Sequence, residues 1–364
     1  MEISDWSELL PDLLIMIARR IQLMEDFMAF RGVCTSWRAA ASVDNFVKSW
    51  PTVPLVMLAE KKDTDYREFY SLSRGKIWRR MPLPEAKGKK CIESRGWLIT
   101  ISSSGDMSLL HPFSRAQIEL PNQSTFPEHD INPDPFFNVT SAVLSASPSE
   151  TSDFVVVIVG GGGRFLLLWR PGDMSWTRIE SAQYGAFNDV YFYKGKIYAI
   201  TYGGHIWVWD MLDPPEAQYC FTINRELIDF RRSRLVESAG KLFVVARDGA
   251  EYDDDEQTYG VMNFRVVQLD LIKREWKEID NLGDMAIFVG HNGGFSLDAT
   301  RFPSIIKPNC IYFTDDAIEA YTCTEEGGGK DMGVYNLEDG HIERFDDIQS
   351  FSLISPPVWV APSF

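Results

Sequence analysis

Two hydrophobic rhythms divide this chain. Over residues 6–45 apolar side chains recur at helical spacing, and beyond Trp50 short apolar runs alternate with Gly, Pro, Asp and Asn. In the first stretch Pro11 suits the opening position of a helix, where its missing N–H costs nothing. A helix over Asp12–Ile21 places Leu13, Leu14, Ile17 and Ile21 on one face, with Ile15 and Met16 elsewhere around the axis. Apolar character on two sides asks for two burial surfaces, since a surface helix normally carries one stripe. Two shorter helices are expected at Asp26–Arg31 and Thr35–Ala41, with Asp26 and Thr35 as N-caps. A three-helix segment of roughly 45 residues is near the lower limit of independent stability. It is too small to bury this much apolar side chain alone, so part of it is expected to meet another protein.

Pro51-Thr52-Val53-Pro54 ends the helical pattern and sets the expected organisation: a helical domain over 1–50, a linker over 51–54, and a second domain over 55–364. The β-rich runs there, such as Trp97–Ile101, Phe154–Val159, Lys196–Ile200 and Leu242–Val245, read as strands. The only weak helical candidate beyond Trp50 lies around Asn224–Phe230. A repeat emerges when strand–turn–strand ends are aligned. Tyr70-x6-Ile77, His111-x6-Ile118, Trp169-x6-Trp176, Leu269-x6-Trp276 and Tyr335-x6-Ile342 share one spacing, each with turn formers inside it. A unit ending near Trp207–Asp210 fits loosely, its turn lengthened by Pro214-Pro215. Lys194-Gly195-Lys196-Ile197-Tyr198 resembles Ala239-Gly240-Lys241-Leu242-Phe243, and Pro308–Tyr312 is a degenerate third copy; these are expected to be the first strands of their units. Six units average about 52 residues, near the roughly 50 of a kelch-type blade. Blades that cannot bury both faces alone must stack around a channel. The expected fold class is therefore α+β multidomain, three N-terminal helices followed by an all-β propeller. Six blades fit best, and five or seven would survive a differently drawn boundary. Loop insertions are expected around Phe126–Pro135 and Glu251–Gln257.

Composition narrows the partners. The formal net charge of −16 argues against nucleic acid and anionic membrane surfaces, which need clustered positive potential. Residues 1–50 hold 5 Lys/Arg and 7 Asp/Glu, so nearly all of that charge lies beyond residue 50. No 18-residue apolar run exists to span a bilayer, and the acidic Met1–Asp5 is unlike a secretory or transit signal. Cysteines 34, 91, 220, 310 and 323 form an odd set without a C-x-x-C pair, the usage of a reducing compartment. Nucleus and cytoplasm both remain open.

Residues 6–45 resemble an F-box. The resemblance rests on Leu10-Pro11-x-Leu13-Leu14, the spaced Ile17, and Phe30-Arg31-x-Val33-Cys34-x-Ser36-Trp37-Arg38. It implies docking onto a Skp-type adaptor hung from a cullin scaffold, through Leu9, Leu10, Pro11, Leu14 and Ile17, with Val33 and Trp37 fixing the mutual packing of the helices. Gly195–Ala199, Leu235–Ser238, Leu282–Gly290, Asn309–Asp316, Met332–Gly340 and Pro356–Val360 resemble the kelch-related propeller of a large plant-specific F-box family. That resemblance implies a ubiquitin-ligase substrate receptor and names no substrate.

Candidate chemistry is sparse. Gly160–Gly163 follows an apolar strand, but a dinucleotide loop needs a glycine where Phe165 stands and a helix afterwards, so a hairpin turn is the better reading. Gly204-His205 and Trp209-Asp210 stand too close to bracket a WD repeat of ~40–45 residues. Glu251–Glu256 lacks the central Gly and terminal Glu of an EF-hand and reads as a solvated acidic tip. The five histidines (111, 129, 205, 291, 341) are scattered singly, no Gly-x-Ser-x-Gly elbow is present, and no cysteine carries a nearby cationic partner that would identify it as a nucleophile. His291 reads as a loop residue, and Trp207 and Trp209, alternating along a strand, read as inter-blade core. No catalytic residue, metal ligand or cofactor is assigned. The expected function is an adaptor-docked receptor that presents an unidentified target protein with its propeller loops and contributes proximity rather than acid–base chemistry. A stiff junction around 48–54 would serve that role. The alternatives are a binding module acting outside ubiquitination and a propeller enzyme acting on carbohydrate.

Overall fold

The computed structural model describes residues 6–21, 23–42, 53–126, 134–181, 185–211, 217–224, 232–249, 259–291, 293–345, 348 and 350–361. Its N-terminal region is helical: α1 (Pro11–Ala18), α2 (Met24–Arg31) and α3 (Thr35–Ala40). Pro11 does open α1. The expected caps differ: Leu23 and Cys34 hold the N-cap positions of α2 and α3, and neither makes a side-chain cap bond. Asp26 instead lies inside the first turn of α2, where Arg74 of the β domain engages its carboxylate at 2.9 Å.

Six sheets come next, as blades 1 to 6, with strands drawn from residues 55–82 and 358–360, 90–120, 141–181, 187–222, 233–279 and 285–344; the first five are wholly antiparallel. Blade 2 shows the regular plan: Lys90–Ser94, Trp97–Ile101, Met107–Leu110 and Gln117–Leu120, from the axis outwards. Its inner three strands are buried throughout, and its outer one is largely exposed. Side chains alternate between faces, so Ile92, Ile99 and Leu109 pack toward blade 3 while Cys91, Leu98 and Leu110 pack toward blade 1. One apolar cluster of this kind fills each of the six junctions. The ring closes through blade 1, where the C-terminal strand Val358–Val360 takes the innermost place beside Leu55–Met57. Val358 and Val360 face blade 2, whereas Trp359 faces blade 6, its ring edge-on to Phe288 at 5.1 Å and its Nε1–H donating to Val289 O at 3.1 Å.

The repeat spacing marks the turns between third and fourth strands. Tyr70 and Ile77, Leu269 and Trp276, and Tyr335 and Ile342 are cross-strand partners. In blade 2 the equivalent pair is Leu110 and Gln117, one position earlier than His111 and Ile118. The Gly-Lys copies are second strands rather than first: Lys196–Thr201, Lys241–Asp248 and Cys310–Phe313 each follow an inner strand. Inner strands such as Phe187–Tyr193 carry buried Asn188 and Asp189, which break the apolar signature. The loops Arg95-Gly96, Lys194-Gly195 and Ala239-Gly240 join first to second strands in two residues, all six at positive φ, the backbone of a type I′ hairpin. Blade 6 departs from the plan. It has five strands: an extra one, Gly293–Asp298, lies innermost, and the blade's first strand, Met285–Gly290, runs parallel to its second, Cys310–Phe313. A cross-strand stack of Phe295, Phe288 and Tyr312, with ring centroids 5.1 and 4.7 Å apart, holds the extra strand in register.

The helical region is fastened to blade 1. The buried Glu25 carboxylate accepts from Ser71 Oγ and, at 2.9 Å, from Ser73 Oγ, and Leu23 joins the apolar cluster between blades 6 and 1. Of the expected linker, Val53 and Pro54 are buried, while residues 51–52 and the loop around 251–257 lie outside the described residues, as does most of the 224–230 candidate. Because Trp359 fills the closing junction, Trp359→Ala is expected to cost about 3–5 kcal/mol in urea unfolding. A loss below about 1 kcal/mol would mean that closure does not depend on it.

Candidate functional site

At ~100° per residue, helix α1 presents two adjoining apolar faces. Leu14 and Ala18 point inward, sealed with Phe27, Phe30, Ala40 and Ala41 in the core of the helical region, and Ile15 lies partly buried beside them. Leu10, Leu13, Met16 and Ile17 form the outward face, with Leu10 66% exposed. Pro11 is exposed at its start, and Val33, 55% exposed, lies at the end of α2. The Trp37 ring lies tilted against Phe30 with centroids 4.4 Å apart, and its Nε1–H donates to Trp6 O at 2.9 Å, placing it between α2, α3 and the segment before α1. Two of the expected roles change. Leu14, with no exposed surface, supports the face from beneath and does not form it; Val33 is too exposed to fix helix packing. Leu9 is half-buried against the same small core. Leu13 and Met16 belong to the surface as well, a place the F-box resemblance does not give them. The available signal was spacing: Leu13 lies one helical turn from both Leu10 and Ile17, and Met16 one turn from Leu13.

Among the described residues, six of the thirteen exposed large hydrophobic side chains lie on this region, about a tenth of the chain. Soluble surfaces scatter such residues singly, so this concentration marks an interaction face.

The propeller end remote from the helices is polar and locked. Arg247 lies between the Phe264 and Phe313 rings and pairs with Asp316 at 2.6 Å; Arg234 reaches Asp316 at 3.2 Å, and Arg344 pairs with Asp331. The buried Asp315 accepts from Tyr259 O–H and from Gly329 N–H at 2.7 Å, and burial raises its carboxyl above the usual range. Lys90 donates to Phe136 O at 2.8 Å and Val139 O at 2.9 Å, and burial pushes its ammonium down to about 7. His291 is 1% exposed at the end of an inner strand rather than in an open loop, and burial, with Lys90 and Arg234 nearby, holds it well below its ordinary value. Gly160–Gly163 is the hairpin turn expected, packed so tightly that a Cβ on Gly161 would lie 2.6 Å from the Phe165 ring. Trp209 is fully buried and Trp207 packs beside it between blades 3 and 4. His205 bonds Thr222 Oγ1 at 2.7 Å across blade 4. Among the described residues no group of three or more His, Cys, Asp or Glu is placed to hold a metal ion, and no helix is long and apolar enough to cross a membrane.

Residues 69–336 match the KIB1-4 beta-propeller family. The chain belongs to that family. Similar proteins in Arabidopsis thaliana include F-box protein At2g26160, 26% identical over 87% of this chain and 97% of its own length. Putative F-box protein At1g65770 is 27% identical over 90% of this chain and 94% of its own, and F-box protein SKIP23 is 23% identical over 98% and 95%. The resemblance to plant F-box proteins with a propeller is thus borne out, and the family's propeller has six blades here.

Two measurements test these assignments in this KIB1-4-type chain. Leu14→Ala should destabilise the helical region by about 2–5 kcal/mol, read from hydrogen exchange of its amides, whereas Leu10→Ala should change it by no more than about 0.5 kcal/mol. Equal effects would contradict the division of α1 into a sealed and an open face. The Lys90 ammonium titrates near 7 when folded and at an ordinary 10.5 when unfolded, so across that window the unfolded chain binds the extra proton and stability rises with pH. The stability difference between wild type and Lys90→Met should therefore grow from pH 7 to 10 in urea unfolding; a flat difference would refute the depressed ammonium.

Proposed function

We propose that this chain is the substrate-recognition subunit of a Skp–cullin–F-box ubiquitin ligase, with residues 1–50 as its F-box, 51–54 as linker and 55–364 as receptor. The observation carrying this reading is the outward apolar face of α1, Leu10, Leu13, Met16 and Ile17 with Pro11, left open beside a complete small core. The F-box names of relatives aligned over nearly the whole chain support it. An adaptor helix laid against that face would cover side chains the propeller leaves bare. The propeller loops would hold a target protein, and the chain itself supplies no catalytic group. Its contribution is effective concentration, because a target held near a charged ubiquitin-conjugating enzyme reacts as if tethered. The Glu25 bonds to Ser71 and Ser73 and the Asp26–Arg74 pair favour this role by restricting swing between the two parts. Such a ligase would work in the nucleus, the cytoplasm or both.

Leu10→Ala combined with Pro11→Ala is expected to abolish co-purification with a Skp-type adaptor while the propeller keeps its thermal unfolding transition. Undiminished adaptor capture would remove the site assignment. With capture established, the half-life of a co-purified target should lengthen when the proteasome is inhibited. An unchanged half-life would leave an F-box module acting outside ubiquitination.

A further inference from the structure

The channel ends differently on the side that bears the helices. Ser71, Leu55 and Val360 stand side by side across blade 1, so the Glu25 fastening and the end of the closing strand share one level. Ala361, the next residue, lines a cavity of about 450 Å³ at the axis. Its walls come from the ends of inner strands, including Val143, Val190 and Phe192, and from the extra strand of blade 6. That strand is pressed onto blade 5, where a Cβ on Gly294 would fall 2.3 Å from Val236 Cγ2, and this leaves the space open toward blades 2 to 4. A second cavity of about 260 Å³ continues outward between blades 3 and 4, sharing Arg95, Phe192 and Lys194 with the first.

Two cations therefore stand where the cavities meet. Both occupy the first position of a two-residue hairpin at positive φ, 51° for Arg95 and 48° for Lys194, a conformation that long L side chains disfavour. The turn itself does not require a cation, because Ala239 fills the same position in blade 5. Lys194 Nζ lies over the Tyr193 ring at 4.9 Å. The carboxylates reaching the axial cavity, Glu93 and Glu237, are held by the backbone of their own turns, accepting from Gly96 N–H at 2.7 Å and Gly240 N–H at 2.8 Å. Asp153 lines the outer cavity. Ser296 donates to Glu237 O at 2.9 Å, so that hydroxyl is committed as well. A largely apolar chamber with cations at its junction is suited to an apolar body carrying one anionic group.

We propose that this paired cavity binds an amphipathic carboxylate, its apolar body in the axial chamber and its carboxylate between Arg95 and Lys194. The site is built by the propeller and does not depend on adaptor docking, so the purified full-length chain alone can be tested. Calorimetric titration would use 4-phenylbutyrate, the neutral 4-phenylbutyramide, and the acidic peptide acetyl-Leu-Phe-Glu-amide. The acids should bind at least tenfold more tightly than the amide, and Arg95→Gly with Lys194→Gly should weaken them at least tenfold. Ala239→Gly, the same change in blade 5, should leave them unaltered. Glycine accepts positive φ, so these hairpins keep their backbone. Because Arg95 Nε also donates to Leu144 O at 2.8 Å, Lys194→Gly alone is the second variant, with at least a threefold loss expected. A free acid that outbinds the peptide identifies a small-molecule source, and the reverse identifies an acidic side chain of a partner; both retain the site. No binding by either acid, equal binding of acid and amide, or binding untouched in both variants would overturn it.

Discussion

A four-stranded blade has two apolar faces and no means of covering either, so its stability is lent by its neighbours. An open row of six would leave two faces bare. Here the first and last strands of the propeller share one sheet, with Leu55 paired to Val360 and Met57 to Val358. The C-terminal strand then sends Trp359 into the junction with blade 6 and its two valines into the junction with blade 2. Every apolar cluster in the ring has a partner because of that pairing. The same closure frees the loops: since the clusters lie within the sheets, turns at either end of the channel can vary without exposing core.

The helical region relates to this ring by a different logic. Its own buried core is six residues, Phe27 and Phe30 with four smaller ones around them, enough to order three short helices and no more. Among the described residues, polar bonds tie it to blade 1, Glu25 to two serines and Asp26 to an arginine, with Leu23 as an apolar bridge. The fastening uses the side of α2, and the outward face of α1 stays clear. The region is thus attached on one side and apolar on another, the arrangement on which the proposed receptor role rests.

Much of this was legible because local chemistry and tertiary need agreed. Pro11 opens α1 and the two-residue Gly turns close hairpins, since each residue type has one backbone role there. The 3.6-residue period gave α1 apolar side chains on two sides, and the structure has them, one face sealed and one open, but it placed Leu14 and Ile17 together. In the structure they part, because the direction of the inner face is set by Phe27 and Phe30 on another helix, which no local window contains. The extra strand of blade 6, Gly-Gly-Phe-Ser-Leu-Asp, has little β propensity and is held by Phe288 and Tyr312 across the sheet. Asp26 looked like a cap and is an ion-pair partner, a choice decided by Arg74 from a distant part of the chain.

The two ends of the channel show why recognition chemistry and fold chemistry need not compete. At the end away from the helices, Arg234, Asp316, Arg247, Asp331 and Arg344 form a chain of buried and half-buried charges that ties loops of blades 5 and 6. Buried charges of this kind are costly to separate, because each loss strands its partner in a low dielectric. At the helix-bearing end the turns are closed by backbone geometry instead, with glycines and glutamate caps holding them. Lys194 stands where Ala239 closes the equivalent hairpin of blade 5, and Arg95, which also ties its turn to Leu144 O, borders the same space.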